Sequence, residues 1–172
     1  AERMQKNLPL YPIACNFSRS HFMDKQFPQK LLHLTEKYKV PTKYLGLEIT
    51  ENVAMANNKT IAEYTNLLKE YGFAVAIDDF GSGYSSLSIL RDLPVDALKL
   101  DKAFLGDVAL QEKGRTIVQK VIALAYQLGM SVICEGVETA AQVAFLKSID
   151  CHLAQGFYYS PAVSREEIMQ LM

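Results

Sequence analysis

The sequence predicts an α/β fold centred on a parallel β-sheet, and three observations carry that expectation. Short apolar runs alternate with longer amphipathic ones along the whole 172-residue chain. The runs that read as strands are apolar on both faces, as strands covered by helices on either side are. Successive strands are spaced by roughly 20 to 35 residues, the length of a βα unit. Each expected strand also ends at, or carries, a polar residue.

The first strand is expected over 11–15, just ahead of Asn16. A helix follows over 27–39, with Pro28 suited to the first helical position. The second strand, 44–49, carries Glu48, and the helix over 59–71 is stopped by Gly72. A wholly apolar third strand, 73–77, leads into Asp78-Asp79. A short helix over 85–91 precedes the strand 97–100, which carries Lys99 and is followed by Asp101. The clearest helix is 112–128. Its period places Ile117, Val118, Val121, Ile122, Ala125 and Leu128 on one face, and Gly129 ends it. A strand over 130–134 ends at Glu135, and a helix follows over 140–148. A short strand over 153–155 ends at Gln155, and Ser164 is placed to cap a last helix through 171.

Hydrophobic residues make up 49% and charged residues 22%, which fits a globular chain of one domain with a core of its own. The net charge of -1 gives no basic footprint for a nucleic-acid polymer, while a small anion held by local groups stays open. Cys15, Cys134 and Cys151 are odd in number and lack CxxC spacing, so neither a disulfide framework nor a zinc knuckle is indicated. Reduced thiols in a cytoplasmic compartment are expected. No apolar run is long enough to span a membrane, and no signal-peptide pattern opens the chain.

In a parallel sheet the carboxyl ends of the strands share one side, where both common parallel folds place their chemistry. That rim is expected to gather Asn16, Glu48, Asp78, Asp79, Lys99, Asp101, Glu135 and Gln155. So many oxygen donors suit a hard divalent cation, Mg²⁺ or Mn²⁺. Clustered carboxylates repel one another, so a metal pair or Lys99 has to supply positive charge among them. Adjacent strand residues point opposite ways, so Asp78 and Asp79 are expected to converge where the strand frays into the loop 80–86. The glycines of that loop permit unusual dihedrals, but Ser86 stands at the last glycine place of GxGxxG, so dinucleotide binding gains no support. On length alone an open doubly wound sheet is favoured over a closed (β/α)8 barrel, which takes about 250 residues. His21, His33 and His152 share no strand-end pattern, Tyr158-Tyr159 reads as packing, and the methionines read as filler.

NFS (16–18), LEITE (47–51), DDFGSGYSSL (78–87), LPVDALKLDKAFL (93–105), CEGVET (134–139) and AQGFYYS (154–160) run in order along nearly the whole chain. Together they resemble the EAL domain family. The resemblance implies a modified (β/α)8, TIM-like barrel, incomplete here with about six βα units, which replaces the length-based preference for an open sheet. It implies hydrolysis of cyclic di-GMP to linear pGpG with Mg²⁺ or Mn²⁺, two ions in the intact domain. Asn16, Glu48 and Asp78 match the family's metal ligands. Asp78 is implied to bridge both ions, Asp79 to bind the second, and Glu135 to serve near it. Lys99 matches the lysine that orients or activates the attacking water, and Glu51 the glutamate that anchors the 79–86 loop, which the family links to dimerisation and activity. Asp101, Glu138 and Gln155 match further substrate-pocket positions. Implied partners are cyclic di-GMP, a second copy in a homodimer, and flanking sensory or diguanylate cyclase modules. The alternative kept beside hydrolysis is a receptor that binds cyclic di-GMP without cutting it.

The sequence departs from the family in lacking the Glu-Ala-Leu motif, which lies upstream of the segment matching 11–16 and supplies a metal ligand. Residues 1–172 are therefore expected to be an EAL domain without its N-terminal portion, with exposed strand edges that invite pairing between copies. With one ligand missing, the chain alone is expected to hydrolyse poorly. Smaller departures are Cys134 for a common Ala, Ser82 for a common Thr, and SPAV (160–163) where a basic residue is usual.

Overall fold

The strand order settles which parallel architecture the chain adopts. In the computed structural model, which describes residues 1–56, 58–83, 87–106 and 111–171, six strands form one sheet. They are β1 (Ile13–Phe17), β2 (Leu45–Thr50), β3 (Ala74–Phe80), β4 (Ala97–Leu100), β5 (Ser131–Cys134) and β6 (Leu153–Ala154). Their spatial order is β1-β2-β3-β4-β5-β6, and every neighbouring pair is parallel. A doubly wound sheet reverses its strand order at a switch point. Here every crossover steps to the next strand in the same direction, the winding that curls a sheet into a barrel. The length-based expectation of an open sheet is thereby corrected. β1 and β6 are the edges of the described sheet.

The helices are α1 (Glu2–Gln5), α2 (Arg19–Met23), α3 (Phe27–Lys37), α4 (Glu51–Ala56), α5 (Asn58–Glu70), α6 (Ser88–Asp92), α7 (Glu112–Gln127), α8 (Ala140–Ser148) and α9 (Arg165–Leu171). The short α2 and α4, each beginning directly beyond a strand, carry no apolar period long enough to read from sequence. Pro28 is the second residue of α3 and not the first, where its missing N–H is equally harmless. The expected helix over 85–91 is α6, and residues 84–86 lie outside the described residues. In α7 the expected face is narrower than its period suggests. Val118, Ile122 and Ala125 are buried, whereas Ile117 and Leu128 are exposed. Thr139 caps α8 with reciprocal bonds to Gln142, and Ser164 caps α9 with reciprocal bonds to Glu167.

Leu47, Ile49, Val75, Ile77, Leu98 and Val132 lie buried on the sheet and hold it to its helices. At the amino ends of the strands, Asp96 ties three of them together. Its carboxylate accepts the Val75 N–H at 2.9 Å and pairs with Lys69 at 2.7 Å, while its carbonyl accepts the Ser131 N–H at 2.9 Å. No described helix is long and apolar enough to cross a membrane.

Candidate active site

Sheet register decides which polar side chains meet. Asn16 pairs with Glu48, and Glu48 with Ala76, so these three form one row across β1, β2 and β3. Asp78 lies two residues beyond Ala76 and so faces the same way. Lys99 on β4 pairs with Ile133, two residues ahead of Glu135. Asn16, Glu48, Asp78, Asp79, Lys99, Glu135 and Gln155 line one open cavity of about 980 Å³ at the carboxyl ends of the strands, near the upper end for small-molecule sites.

Asp78 and Asp79 converge by a different device from the one expected. They do not sit in a frayed loop, because β3 continues through Phe80. Instead the pairing with β4 shifts between Ile77 and Phe80, and Asp79 adopts φ 55°. The bulge turns both aspartates into the cavity and returns the buried Phe80 to the core. A non-glycine residue at positive φ is uncommon, and aspartate is among the side chains that tolerate it best. Phe80 stacks on Phe104 with ring centroids 6.5 Å apart. Gly81 follows at φ 96°, and a Cβ there would lie 1.6 Å from the Phe104 ring. Its N–H donates to Glu51 Oε2 at 3.1 Å, so the buried Glu51, first residue of α4, holds the start of the loop. The rest of that loop, 84–86, lies outside the described residues.

Lys99 stands at the centre of the cluster and is 5% exposed. Its Nζ lies 2.8 Å from Asp78, 2.8 Å from Glu135 and 3.0 Å from Glu48. Burial pulls its pKa down, but the bonds to Asp78, Glu135 and Glu48 together outweigh burial and hold it above the ordinary lysine range. Lys99 is thus held as a cation among these three carboxylates. One cation does not balance four carboxylates. Burial raises the Asp79 pKa, and the charges of Asp78 and Asp101 raise it further against Lys99. Burial likewise raises Glu135, opposed by Lys99 and reinforced by Asp78 and Asp79. Oxygens of Asp78, Asp79 and Glu135 all lie within 4.8 Å of one another. This donor set, hard, anionic and short of positive charge, fits a divalent cation of the Mg²⁺ or Mn²⁺ kind.

The remaining expected residues lie beside this cluster. Asp101, Glu138 and Gln155 line an adjoining cavity of about 370 Å³, which also touches Asp79 and Glu135. Asp101 accepts the Ala103 N–H at 2.8 Å. Gln142 fixes the segment that carries Glu138, accepting the Glu138 N–H at 2.8 Å and donating to the Leu105 carbonyl at 2.7 Å. The structure also places two groups outside the strand-end pattern. His21, set aside from sequence, lines the main cavity with Arg19, because α2 turns directly over the end of β1. Its signal was present in Ser18-x-x-His21, a reciprocal cap in which His21 replaces the usual Glu or Gln. Tyr158 and Tyr159 meet edge to face, yet both are exposed and neither packs into the core.

Comparison with known proteins agrees with this geometry. The EAL domain family profile matches residues 1–162. NbdA of Pseudomonas aeruginosa, a cyclic di-GMP phosphodiesterase, is 38% identical over 161 residues, covering 92% of this chain and 21% of that protein. The EAL domain of Mycobacterium smegmatis DcpA superposes with a TM-score of 0.87 at 34% identity, covering 96% of this chain and 73% of that one. The PaMucR phosphodiesterase, solved as its c-di-GMP complex, superposes with a TM-score of 0.83 at 32% identity, covering 91% of this chain and 64% of that one. The chain spans 20% to 32% of the length of the curated relatives it matches. By its sequence, its strand order and the acidic rim those strands build, the chain belongs to the EAL domain family.

Proposed function

We propose that the full-length protein hydrolyses cyclic di-GMP to linear pGpG at this rim. The observation that carries the reading is Lys99, held between Glu48, Asp78 and Glu135 at 2.8–3.0 Å in a cluster that still lacks positive charge. Asn16, Glu48, Asp78, Asp79 and Glu135 would hold Mg²⁺ or Mn²⁺. Bound there, divalent ions supply a water of lowered pKa and charge to offset the phosphoryl oxygens. Glu48, Asp78 and Glu135 fix the ammonium of Lys99, which orients the attacking water and opposes the charge growing on the phosphate oxygens. Glu51 holds the loop beyond β3 through Gly81 and so keeps Asp79 in its bulge. Asp101, Glu138 and Gln155, in the adjoining cavity, contact the substrate away from the scissile bond.

The cavity volume and the cyclic di-GMP held by PaMucR support this substrate. The surrounding partners are part of the same proposal: a homodimer, sensory or diguanylate cyclase modules elsewhere in the polypeptide, and a cytoplasmic site of action. The test is chromatographic detection of pGpG from the full-length protein with Mg²⁺ or Mn²⁺, beside its Lys99→Ala variant. Product lost in the variant supports the reading. Cyclic di-GMP bound but never cut would make the domain a receptor.

A further inference from the structure

Outside the acidic rim, two buried thiols meet among the described residues. Cys134 is the last residue of β5, and Cys151 lies between α8 and β6. Both are buried, and their sulfurs lie 3.6 Å apart. The backbone holds each in place. The Gln155 N–H donates to the Cys134 carbonyl at 2.8 Å, and the Cys151 N–H to the Leu146 carbonyl at 3.0 Å. A disulfide sets its sulfurs at about 2.05 Å, so they need to approach by only about 1.5 Å. Cys15, the third thiol, lies on the opposite edge strand.

The two sulfurs are not equivalent. Cys151 Sγ faces the Leu153 carbonyl at 3.7 Å and the Val132 carbonyl at 4.0 Å, so its own S–H has backbone acceptors and its sulfur is left to face Cys134. The contact with Cys134 draws the Cys151 thiol below the ordinary cysteine range. Of the two sulfurs, Cys151 is thus the one placed to act as nucleophile.

We propose that Cys134 and Cys151 form a reversible disulfide whose oxidant is hydrogen peroxide, and that this bridge disturbs the acidic rim through Glu135. Cys151 sulfur attacks the peroxide oxygen, the O–O bond breaks, and a sulfenic acid and one water form. Cys134 sulfur then attacks the sulfenic sulfur, the S–S bond forms, the S–O bond breaks, and a second water leaves with the Cys134 proton. Two thiols and one hydrogen peroxide thus give one disulfide and two waters. A cytosolic disulfide of this kind is transient and redox-sensing in character.

The link to the rim is one peptide bond long. Glu135 follows Cys134 directly. Its N–H donates to the Leu100 carbonyl at 3.0 Å, and its carboxylate pairs with Lys99 at 2.8 Å. Drawing Cys134 toward Cys151 moves the strand end that sets both contacts. This coupling rests on the phosphodiesterase reading, whereas the bridge itself does not.

The experiment is stepwise hydrogen peroxide treatment of the folded protein, alkylation of remaining thiols, digestion and mass spectrometry. The expected result is a linked pair of peptides carrying Cys134 and Cys151, lost on adding dithiothreitol, while Cys15 remains alkylated. If Cys134 and Cys151 stay alkylatable after Cys15 has oxidised, the proposal is overturned. It is equally overturned if Cys151 proceeds to sulfinic acid at the same rate in the wild type and in Cys134→Ala. In the full-length protein with Mg²⁺, peroxide should lower cyclic di-GMP hydrolysis at least tenfold, reversibly, and leave Cys151→Ala unaffected. Bridged protein that hydrolyses as fast as the reduced form would overturn the coupling. Reduced protein with no hydrolysis at all would count against the functional reading, while the peptide masses still decide the bridge.

Discussion

The two ends of the sheet treat carboxylates in opposite ways. At the amino ends of the strands Asp96 is half-exposed and fully matched, with one lysine on one oxygen and a backbone N–H on the other. At the carboxyl ends Glu48, Asp78 and Glu135 surround Lys99, Asp79 adds a fourth carboxylate to the cluster, and Glu48, Asp78 and Lys99 are buried. The first arrangement stitches β3, β4 and β5 and stabilises the fold without further ligand. The second is costly as it stands, because buried charge of one sign exceeds the other. A site that holds such an imbalance is shaped for a cation that the chain does not itself supply. Conservation of charge within the fold thus separates a structural end from a functional one, even though both use aspartate and lysine.

Substitutions at each end test that separation. Replacing Lys99 with Met should have the largest effect. Hydrolysis by the full-length protein should fall by about 10³-fold or more, as for loss of a main electrostatic group. The metal-free protein should also lose about 3 kcal/mol, since the carboxylates are left buried without their partner. Urea unfolding with and without Mg²⁺ checks the second half, and most of that loss should return when the ion is added.

Asp79→Asn comes next. It should reduce hydrolysis by about 10²-fold and weaken Mn²⁺ binding measured by calorimetry. The metal-free variant should melt higher than the wild type, because burial and the charges of Asp78 and Asp101 all disfavour the Asp79 carboxylate. A lower melting temperature for metal-free Asp79→Asn would mean that the rim is not short of positive charge.

Gly81→Ala should destabilise the fold by about 2 kcal/mol or more, since φ 96° and the Phe104 ring both oppose a Cβ. Denaturant unfolding measures this. The smallest effect is expected from Asp96→Asn, at about 1 kcal/mol of stability, because its ion pair is screened by solvent and the Val75 N–H keeps an acceptor. Hydrolysis and metal binding should be unchanged in Asp96→Asn. A tenfold loss of either would erase the distinction between the two ends.

What the sequence disclosed follows from periodicity and position. Polar residues at strand ends put Asn16, Glu48, Asp78, Lys99, Glu135 and Gln155 on one rim, since a parallel sheet leaves them nowhere else to gather. The DDFGSGYSSL and CEGVET segments carried the family. What stayed hidden depends on contacts far apart in sequence. The β3 bulge is set by pairing with β4, so the aspartates were expected beyond the strand and not within it. Ile117 shares the α7 period with Val118 and Ile122, yet it stays exposed among the described residues. Cys134 and Cys151, 17 residues apart with no CxxC spacing, meet only because β5 and β6 are neighbours. His21 enters the cavity through a helix of five residues, too short to leave a periodic trace.

On the proposed mechanism, the acidic rim works only when divalent cations complete its charge. The most direct measurement is pGpG formation by the full-length protein after exhaustive chelation, then during readdition of Mg²⁺ or Mn²⁺. No product is expected in chelator, with recovery on titration with either ion. Undiminished hydrolysis in the chelated protein would contradict it.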